Sequence, residues 1–289
     1  SVADSNFENM SYYLYNETLN VSALVGYWNF ERNTTIINDL SGQNNDGTRL
    51  GGINWTTGGK LGNGYSFDGV NDYINLSNIQ ALNNISKMTI STWIRTSNVT
   101  TIQSIVAKWD YQTQGNFALE LSSDEVRLFI TNSTTDSGGN LETTDTANLN
   151  AGTWYNIVAV YDGSQVNADR VKLYVNNVLQ ASTTTGTIPT STTTASSTVK
   201  IGKFGGSITR NFNGSIDEVM VFDKALSATD ISELYNRSLV NHTTYSAKTE
   251  FINWTGLADN DYNYFVDVID DAENYNSTLL RSVEVDTTF

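Results

Sequence analysis

The chain has 289 residues, 39% hydrophobic and 11% aromatic, with 16 basic and 31 acidic side chains and a net charge of −15. That length allows one large or two ordinary domains with a substantial core, and the composition is not that of a disordered chain. The acid excess argues against nucleic acid or an anionic membrane surface as partner, since both select basic patches; the absence of cysteine excludes disulfides, thiolate nucleophiles and Cys-ligated zinc.

No apolar run reaches the roughly 18 residues of a membrane span, so no membrane insertion is expected in this segment. A cysteine-free chain suits a reducing compartment, and it equally suits an exported protein that dispenses with disulfides. The chain contains 14 Asn-x-Ser/Thr sequons, among them Asn16, Asn20, Asn54, Asn98, Asn132, Asn241 and Asn276. These are acceptors for N-glycosylation, although a chain so rich in Asn, Ser and Thr also generates them by chance. The polar, Thr-rich composition favours an extracellular location.

Met10–Tyr15 (MSYYLY) reads as a strand, followed by a sequon-rich loop. Trp28, Trp93 and Trp154 stand at strand positions and are expected in the core. Gly138-Gly139-Asn140 and the stretch Thr183–Thr198, which holds the only proline, Pro189, read as low-complexity connections. In Phe212–Asn236, Gly214 breaks the chain and Ile216, Val219, Val221 and Phe222 are the apolar members of a strand. Ser227 then caps a helix over Ala228–Tyr235, with Ile231, Leu234 and Tyr235 at helical spacing. Asp217 and Glu218 sit inside that apolar strand; a buried carboxylate costs several kcal/mol unless paired or metal-bound, so both need partners. In the tail, Thr249–Asn253, Tyr262–Ile269 and Leu279–Val285 read as strands separated by turns at 256–260 and 270–274.

The organising strand and helix, GSIDEVMVFDKALS, resemble the end of a laminin-G-like (concanavalin A-like lectin/glucanase) jelly roll. Blocks at Val25–Glu31, Asp39–Gly47, Gly62–Leu76, Met88–Arg95, Ile105–Asp110, Phe117–Leu121, Gly152–Gly163, Val171–Val178 and Val199–Lys203 recur in the family's order. The tail, with Gly256-Leu257-Ala258-Asp259, Tyr262, Tyr264, Val266, Val268 and the ending Val285-Asp286-Thr287-Thr288, resembles bacterial and archaeal immunoglobulin-like surface repeats. Together these imply an all-β chain. A concanavalin A-like jelly-roll sandwich at residues 23–236 is inserted in a small, discontinuous immunoglobulin-like β-sandwich, residues 1–22 and 237–289. Insertion at a loop needs a guest whose termini lie close together.

The laminin-G-like resemblance implies a structural calcium ion. The family's early loop and the Asp of its I-D-E strand meet around one cation. Carried over, the ligands are Asp39, Asn44 and Asp217, with a carbonyl near Gly47 and Glu31 as a neighbour. Calcium takes six to eight oxygens, and Asp39-x-x-Gly-x-Asn-x-Asp-Gly offers carboxylate, amide and turn carbonyls in one short stretch. The same residues also shape turns through Asx hydrogen bonds, with Asp217 paired to Arg or backbone. Trp109, Asp110 and Tyr111, just past a strand, are candidates for a ligand surface, with Trp55 and Asp136 as further loop positions. Catalysis is not expected. The single histidine, His242, lies in the tail, and the E-x-D-x-x-E strand of the family's glucanases is absent, Glu120–Glu125 having the wrong spacing.

The expected role is a non-catalytic extracellular adhesion or carbohydrate-binding module of a larger cell-surface protein. Its partners would be a glycan or surface-protein ligand and neighbouring repeats of the same polypeptide. The alternatives are a structural unit of a surface layer or filament and an accessory module of a secreted polysaccharide-degrading enzyme. Fold resemblance alone does not choose among them.

Overall fold

The computed structural model describes residues 23–110, 114–132, 140–145, 147–206 and 210–236, and the backbone of strands at 7–16, 260–270, 275–277 and 281–285. In chain order the elements are β1 Phe7–Asn16, β2 Leu24–Trp28, β3 Ile36–Ile37, β4 Gly47–Leu50, β5 Asn54–Thr56, β6 Gly64–Asp68 and β7 Tyr73–Asn75. There follow β8 Lys87–Thr96, β9 Ile102–Asp110, β10 Gln114–Ser122, β11 Glu125–Ile130, β12 Leu141–Thr144, β13 Tyr155–Asp162 and β14 Val171–Val175. Then come β15 Val178–Leu179, β16 Ser182–Thr185, β17 Val199–Ile201, β18 Asn213–Phe222, the helix α1 Ala228–Tyr235, β19 Asn260–Asp270, β20 Tyr275–Ser277 and β21 Arg281–Val285. Contacts divide the chain into two units, Ser1–Val21 with Ala228–Phe289, and Ser22–Ser227.

In the smaller unit β1 pairs antiparallel with β19, from Phe7 opposite Asp270 to Asn16 opposite Tyr262. Strands β20 and β21 also pair with β19. The expected strand at 249–253 and the sequons Asn20 and Asn241 lie outside the described residues.

The larger unit is a sandwich of two antiparallel sheets. One has nine strands in the order β16-β12-β11-β10-β9-β17-β7-β4-β3. The other runs β15-β14-β13-β8-β18-β6-β5, with β2 also on β18. Strand alternation sends one set of side chains inward. Ile90 and Ile94 of β8, Phe117, Leu119 and Leu121 of β10, Val126 and Leu128 of β11, and Ile157, Ala159 and Tyr161 of β13 form one buried core. Each such side chain, fully buried, contributes about 1.5–3 kcal/mol relative to exposure. Trp28 lies wholly inside this core, its ring over Gly26, where any Cβ would come within 2.2 Å of it.

Three sequence expectations change. Trp93 is buried but lies outside the inter-sheet core, under the Lys60 ammonium at 4.2 Å; Trp154 is half-buried beneath the Arg95 guanidinium at 5.1 Å. Alternation along β8 turns Trp93 and Arg95 away from the face that carries Ile90 and Ile94. The Thr-rich stretch also differs from a simple connection. It contributes β16 to the sheet edge, and its remainder is pinned: Ile188 and Ala195 are buried, Thr192 exchanges hydrogen bonds with Ile85, and the Tyr161 hydroxyl donates to the Pro189 carbonyl at 2.7 Å. Finally, β18 is not a regular strand. Its pairing with β8 shifts between Asp217 and Met220, and Glu218 has φ 54°. A left-handed non-glycine residue costs about 1–2 kcal/mol. The bulge explains why Ile216 and Val219, three apart, both face the core.

Candidate functional site

The residues assigned to calcium are held in two cradles of backbone amides. Asp39 Oδ1 accepts from the Tyr27 and Ser41 N–H groups, both at 2.9 Å, and Oδ2 from Asn45 N–H at 2.9 Å. Asp217, fully buried, accepts at Oδ2 from Lys60 N–H at 2.8 Å and Leu61 N–H at 3.0 Å, and at Oδ1 from Glu218 N–H at 2.9 Å. An ionised carboxylate has about four lone-pair sites, so three are used in each case. Asn44 is exposed at φ 59°, a turn conformation, and Gly47 starts β4 opposite Ile37. Glu31 Oε2 accepts from Asn63 N–H at 3.1 Å and from its side-chain amide at 2.9 Å.

Burial pushes the Asp217 carboxyl well above its ordinary range; the neighbouring Glu218 and Glu31 add to this, and the two amides of the 60–61 turn oppose it. The Tyr27 hydroxyl donates to Glu218 Oε2 at 2.8 Å. Among the described residues no group of three or more acidic, histidine or cysteine side chains is arranged to hold a metal. Backbone amides are the described hydrogen-bond partners of Asp39 and Asp217. Amides meet the need for partners that the sequence set for Asp217.

The second candidate set falls on the outer face of the nine-stranded sheet. Trp109 and Asp110 are the last residues of β9 rather than a loop, and Tyr111 lies outside the described residues, as does Asp136. Trp109 is only 4% exposed, so its ring is not an open platform. It packs over Gly115, where a Cβ would meet the ring at 2.4 Å, and against Phe204 and Phe129, with centroids 5.6 and 6.3 Å away. Trp55 belongs to β5 and packs half-buried against the core. Asn54 and Asn132 are exposed, and Asn98 is half-buried with its side-chain oxygen accepting from Thr100. Asn16 ends β1 and Asn276 lies within β20.

The sequence did not single out what surrounds Trp109. Ala107, Ala118 and Phe129 stand side by side on β9, β10 and β11, and Lys200 of β17 pairs with Ala107. One row further on, Glu120 pairs with Arg127. Glu120 is fully buried, and both of its oxygens are taken. Oε2 meets Arg127 Nε at 3.0 Å, Arg127 Nη2 at 2.8 Å and Arg210 Nη1 at 3.1 Å; Oε1 meets Arg210 Nη1 at 3.1 Å. The Arg127 guanidinium lies 4.9 Å from the Phe129 centroid and that of Arg210 4.8 Å from Phe204. Lys203 Nζ sits 4.4 Å from the Tyr73 centroid. The signal for this face was the alternation FALEL against VRLFI, which puts Glu120, Arg127 and Phe129 on the side away from Leu119 and Leu128.

Beneath Lys200 is a buried lysine. Lys108 is fully buried and donates to the Asn78 side-chain oxygen and, at 3.0 Å, to the Ser197 carbonyl. Burial pulls its pKa down to about 8, and Lys200 adds repulsion. The folded pKa lies below the unfolded one, about 10.4, so the unfolded chain binds more protons between the two and stability rises with pH in that window. Wild type should gain up to about 1.4 kcal/mol per pH unit between about pH 8 and 10, and Lys108→Met should flatten that slope in urea denaturation. A slope equal in the two proteins contradicts it.

No curated protein sequence matches the chain. Solved structures share its fold. Domain 4 of AbnA, a GH43 extracellular arabinanase from Geobacillus stearothermophilus, in complex with arabinotriose, is 21% identical with a TM-score of 0.52, over 74% of this chain and 98% of that one. The binding domain of botulinum neurotoxin DC, in complex with rat synaptotagmin II, is 13% identical with a TM-score of 0.58, over 89% and 73%. A botulinum neurotoxin type C structure, described through its interaction with two ganglioside molecules, is 14% identical with a TM-score of 0.57, over 75% of this chain and about half (51%) of that one. A family model matches residues 68–232, more than half of the chain, in keeping with the two-sheet sandwich: the chain belongs to the concanavalin A-like lectin/glucanases superfamily.

Proposed function

We propose that the chain is a non-catalytic, extracellular binding module whose ligand is a glycan or a glycan-bearing surface protein, met on the outer face of the nine-stranded sheet. One observation carries this reading. The fully buried acid on that face, Glu120, has both oxygens in contact with guanidinium groups, so it is committed as an anchor rather than free as a proton donor or nucleophile. Glycoside hydrolysis needs two carboxyls flanking the bond, about 5–9.5 Å apart. What the face offers instead is arginine and lysine over aromatic rings, with half-buried Asp110 and Lys200 beside them. The folds that resemble it, with arabinotriose, gangliosides or a protein receptor as their named ligands, support binding as the activity. A glycan array probed with the whole chain, with product analysis on every glycan bound, tests it. Binding without turnover is expected; hydrolysis, or no glycan bound, overturns it.

The pairing of β1 with β19 supports reading the smaller unit as one discontinuous domain interrupted by the jelly roll. Deleting residues 1–22 is expected to abolish amide protection in 260–285 while leaving the jelly-roll amides protected. Retained protection in 260–285 contradicts the insertion.

A further inference from the structure

We propose that the outer face of the nine-stranded sheet selects a carboxylate-bearing saccharide, with Arg210 as the group that takes the carboxylate; this rests on the binding-module reading above. The chain as a whole carries −15, from 31 acidic against 16 basic residues. Among the described residues the face reverses that balance, with Arg127, Arg210, Lys200 and Lys203 against Glu120, Asp110 and Glu125, four positive charges to three negative.

Arg210 is the group with capacity to spare. Its Nη1 is fixed to Glu120, and its plane is held 4.8 Å from the Phe204 ring. Its Nε and Nη2 donate to no described residue, and the side chain is 23% exposed. Arg127 differs. Its Nε and Nη2 are spent on Glu120, its Nη1 donates to Ser122 Oγ at 3.2 Å, and it is 12% exposed. An arginine tied at Nη1 whose Nε and Nη2 donate to no described residue keeps two parallel N–H groups, the fork that pairs bidentately with a carboxylate. Because Glu120 and Phe204 already fix the side chain, little rotamer freedom remains to be lost on binding.

Lys200 supplies a second charge. It lies on the same face beside Ala107, and Asp110, the acid near it, is itself half-buried. Trp109 and Phe204, each 4% exposed, offer a neutral sugar no open ring, and the half-buried rings of Phe129 and Tyr73 lie under the Arg127 and Lys203 cations. The cations Arg210 and Lys200 favour an anion on the sugar ring.

The test is calorimetric titration of the whole chain at low salt with three oligosaccharides of one backbone: a hexuronate oligomer, its carboxyl-reduced neutral counterpart and a sulfated neutral counterpart. The hexuronate is expected to bind at least about tenfold more tightly than the other two, a gap of one decade in Kd. Arg210→Gln should remove that gap, Arg210→Lys should recover part of it, and Lys200→Gln should weaken binding less; Lys200→Gln should melt near wild type, and Arg210→Gln below it, because it takes the guanidinium from buried Glu120 Oε1. Should Arg210→Gln fail to fold, the Arg210→Lys comparison decides. Equal binding of uronate and neutral oligomers, preference for the sulfated one, or indifference to Arg210→Lys and Arg210→Gln overturns the carboxylate assignment and leaves the binding-module reading standing. If the hexuronate and every glycan on an array fail to bind, both fall together.

Discussion

Glu120→Ala is expected to destabilise the jelly roll by about 3 kcal/mol, seen as a lower denaturation midpoint with little change in slope. Removing one partner of a buried ion cluster strands the others, at a typical cost of about 3–5 kcal/mol. The lower end applies because the arginine side chains remain 12% and 23% exposed and can turn partly to water. Glu120→Gln, which keeps one acceptor oxygen in place, should lose roughly half as much. Replacing the trio together, Glu120→Leu with Arg127→Met and Arg210→Met, should recover most of the loss, since an apolar trio of similar volume often matches a buried ion cluster in stability. That variant should bind no ligand. A Glu120→Ala protein as stable as wild type would mean that the guanidiniums are not held by this carboxylate.

The second large effect is expected at the early hairpin. Asp39→Ala removes the acceptor for three backbone N–H groups, those of Tyr27, Ser41 and Asn45. Hydrogen bonds to a charged acceptor contribute about 1.5–3 kcal/mol each, and water can reach some of the freed donors, so a loss of about 3 kcal/mol follows. The hairpin also receives the Trp28 indole N–H at the Asn45 carbonyl, 3.0 Å away, which couples the loop to the core. The same experiment separates an amide cradle from a cation site. With amides as the partners, excess EDTA leaves the wild-type melt unchanged and Asp39→Ala costs the same with or without calcium. A cation at 100 times its Kd would add about 2.7 kcal/mol, so an EDTA-sensitive melt with a calcium-dependent Asp39→Ala penalty contradicts the cradle.

These two sites show what the sequence carried and what it withheld. Local patterns were legible: the family blocks that fall on β8, β10 and β13, the N-terminal strand at β1, and a helix whose bounds, Ala228–Tyr235, match the structure. The need for partners at Asp217 was legible from its apolar neighbours. The identity of those partners was not, because they are backbone N–H groups of residues 60 and 61, more than 150 positions away, and an amide leaves no mark in the side-chain sequence. The bulge at Glu218 was hidden for a related reason. Nothing in a glutamate announces φ 54°; the tertiary contact of its carboxylate with the Tyr27 hydroxyl accompanies it. Trp109 read as a ligand platform because the sequence placed it just past a strand, whereas it ends β9 and the Phe204 ring packed against it comes from a later segment. The Arg210–Glu120 contact spans 90 positions and joins a loop to a mid-sheet acid, so neither residue alone suggested a site. The Thr-rich stretch looked like a bare connection because its fastening is made by backbone groups and by Thr192 Oγ1, against Ile85.

Where a ligand touches the chain is the most direct test of this account. Backbone amide NMR of the whole chain, titrated with an oligosaccharide that it binds, should move resonances of β9, β10, β11 and β17, with the largest changes at Ala107, Ala118, Phe129 and Lys200 on the outer face. Shifts confined to the 39–47 hairpin, or to the eight-stranded sheet around β13 and β14, would place the ligand elsewhere and contradict the assignment of that face.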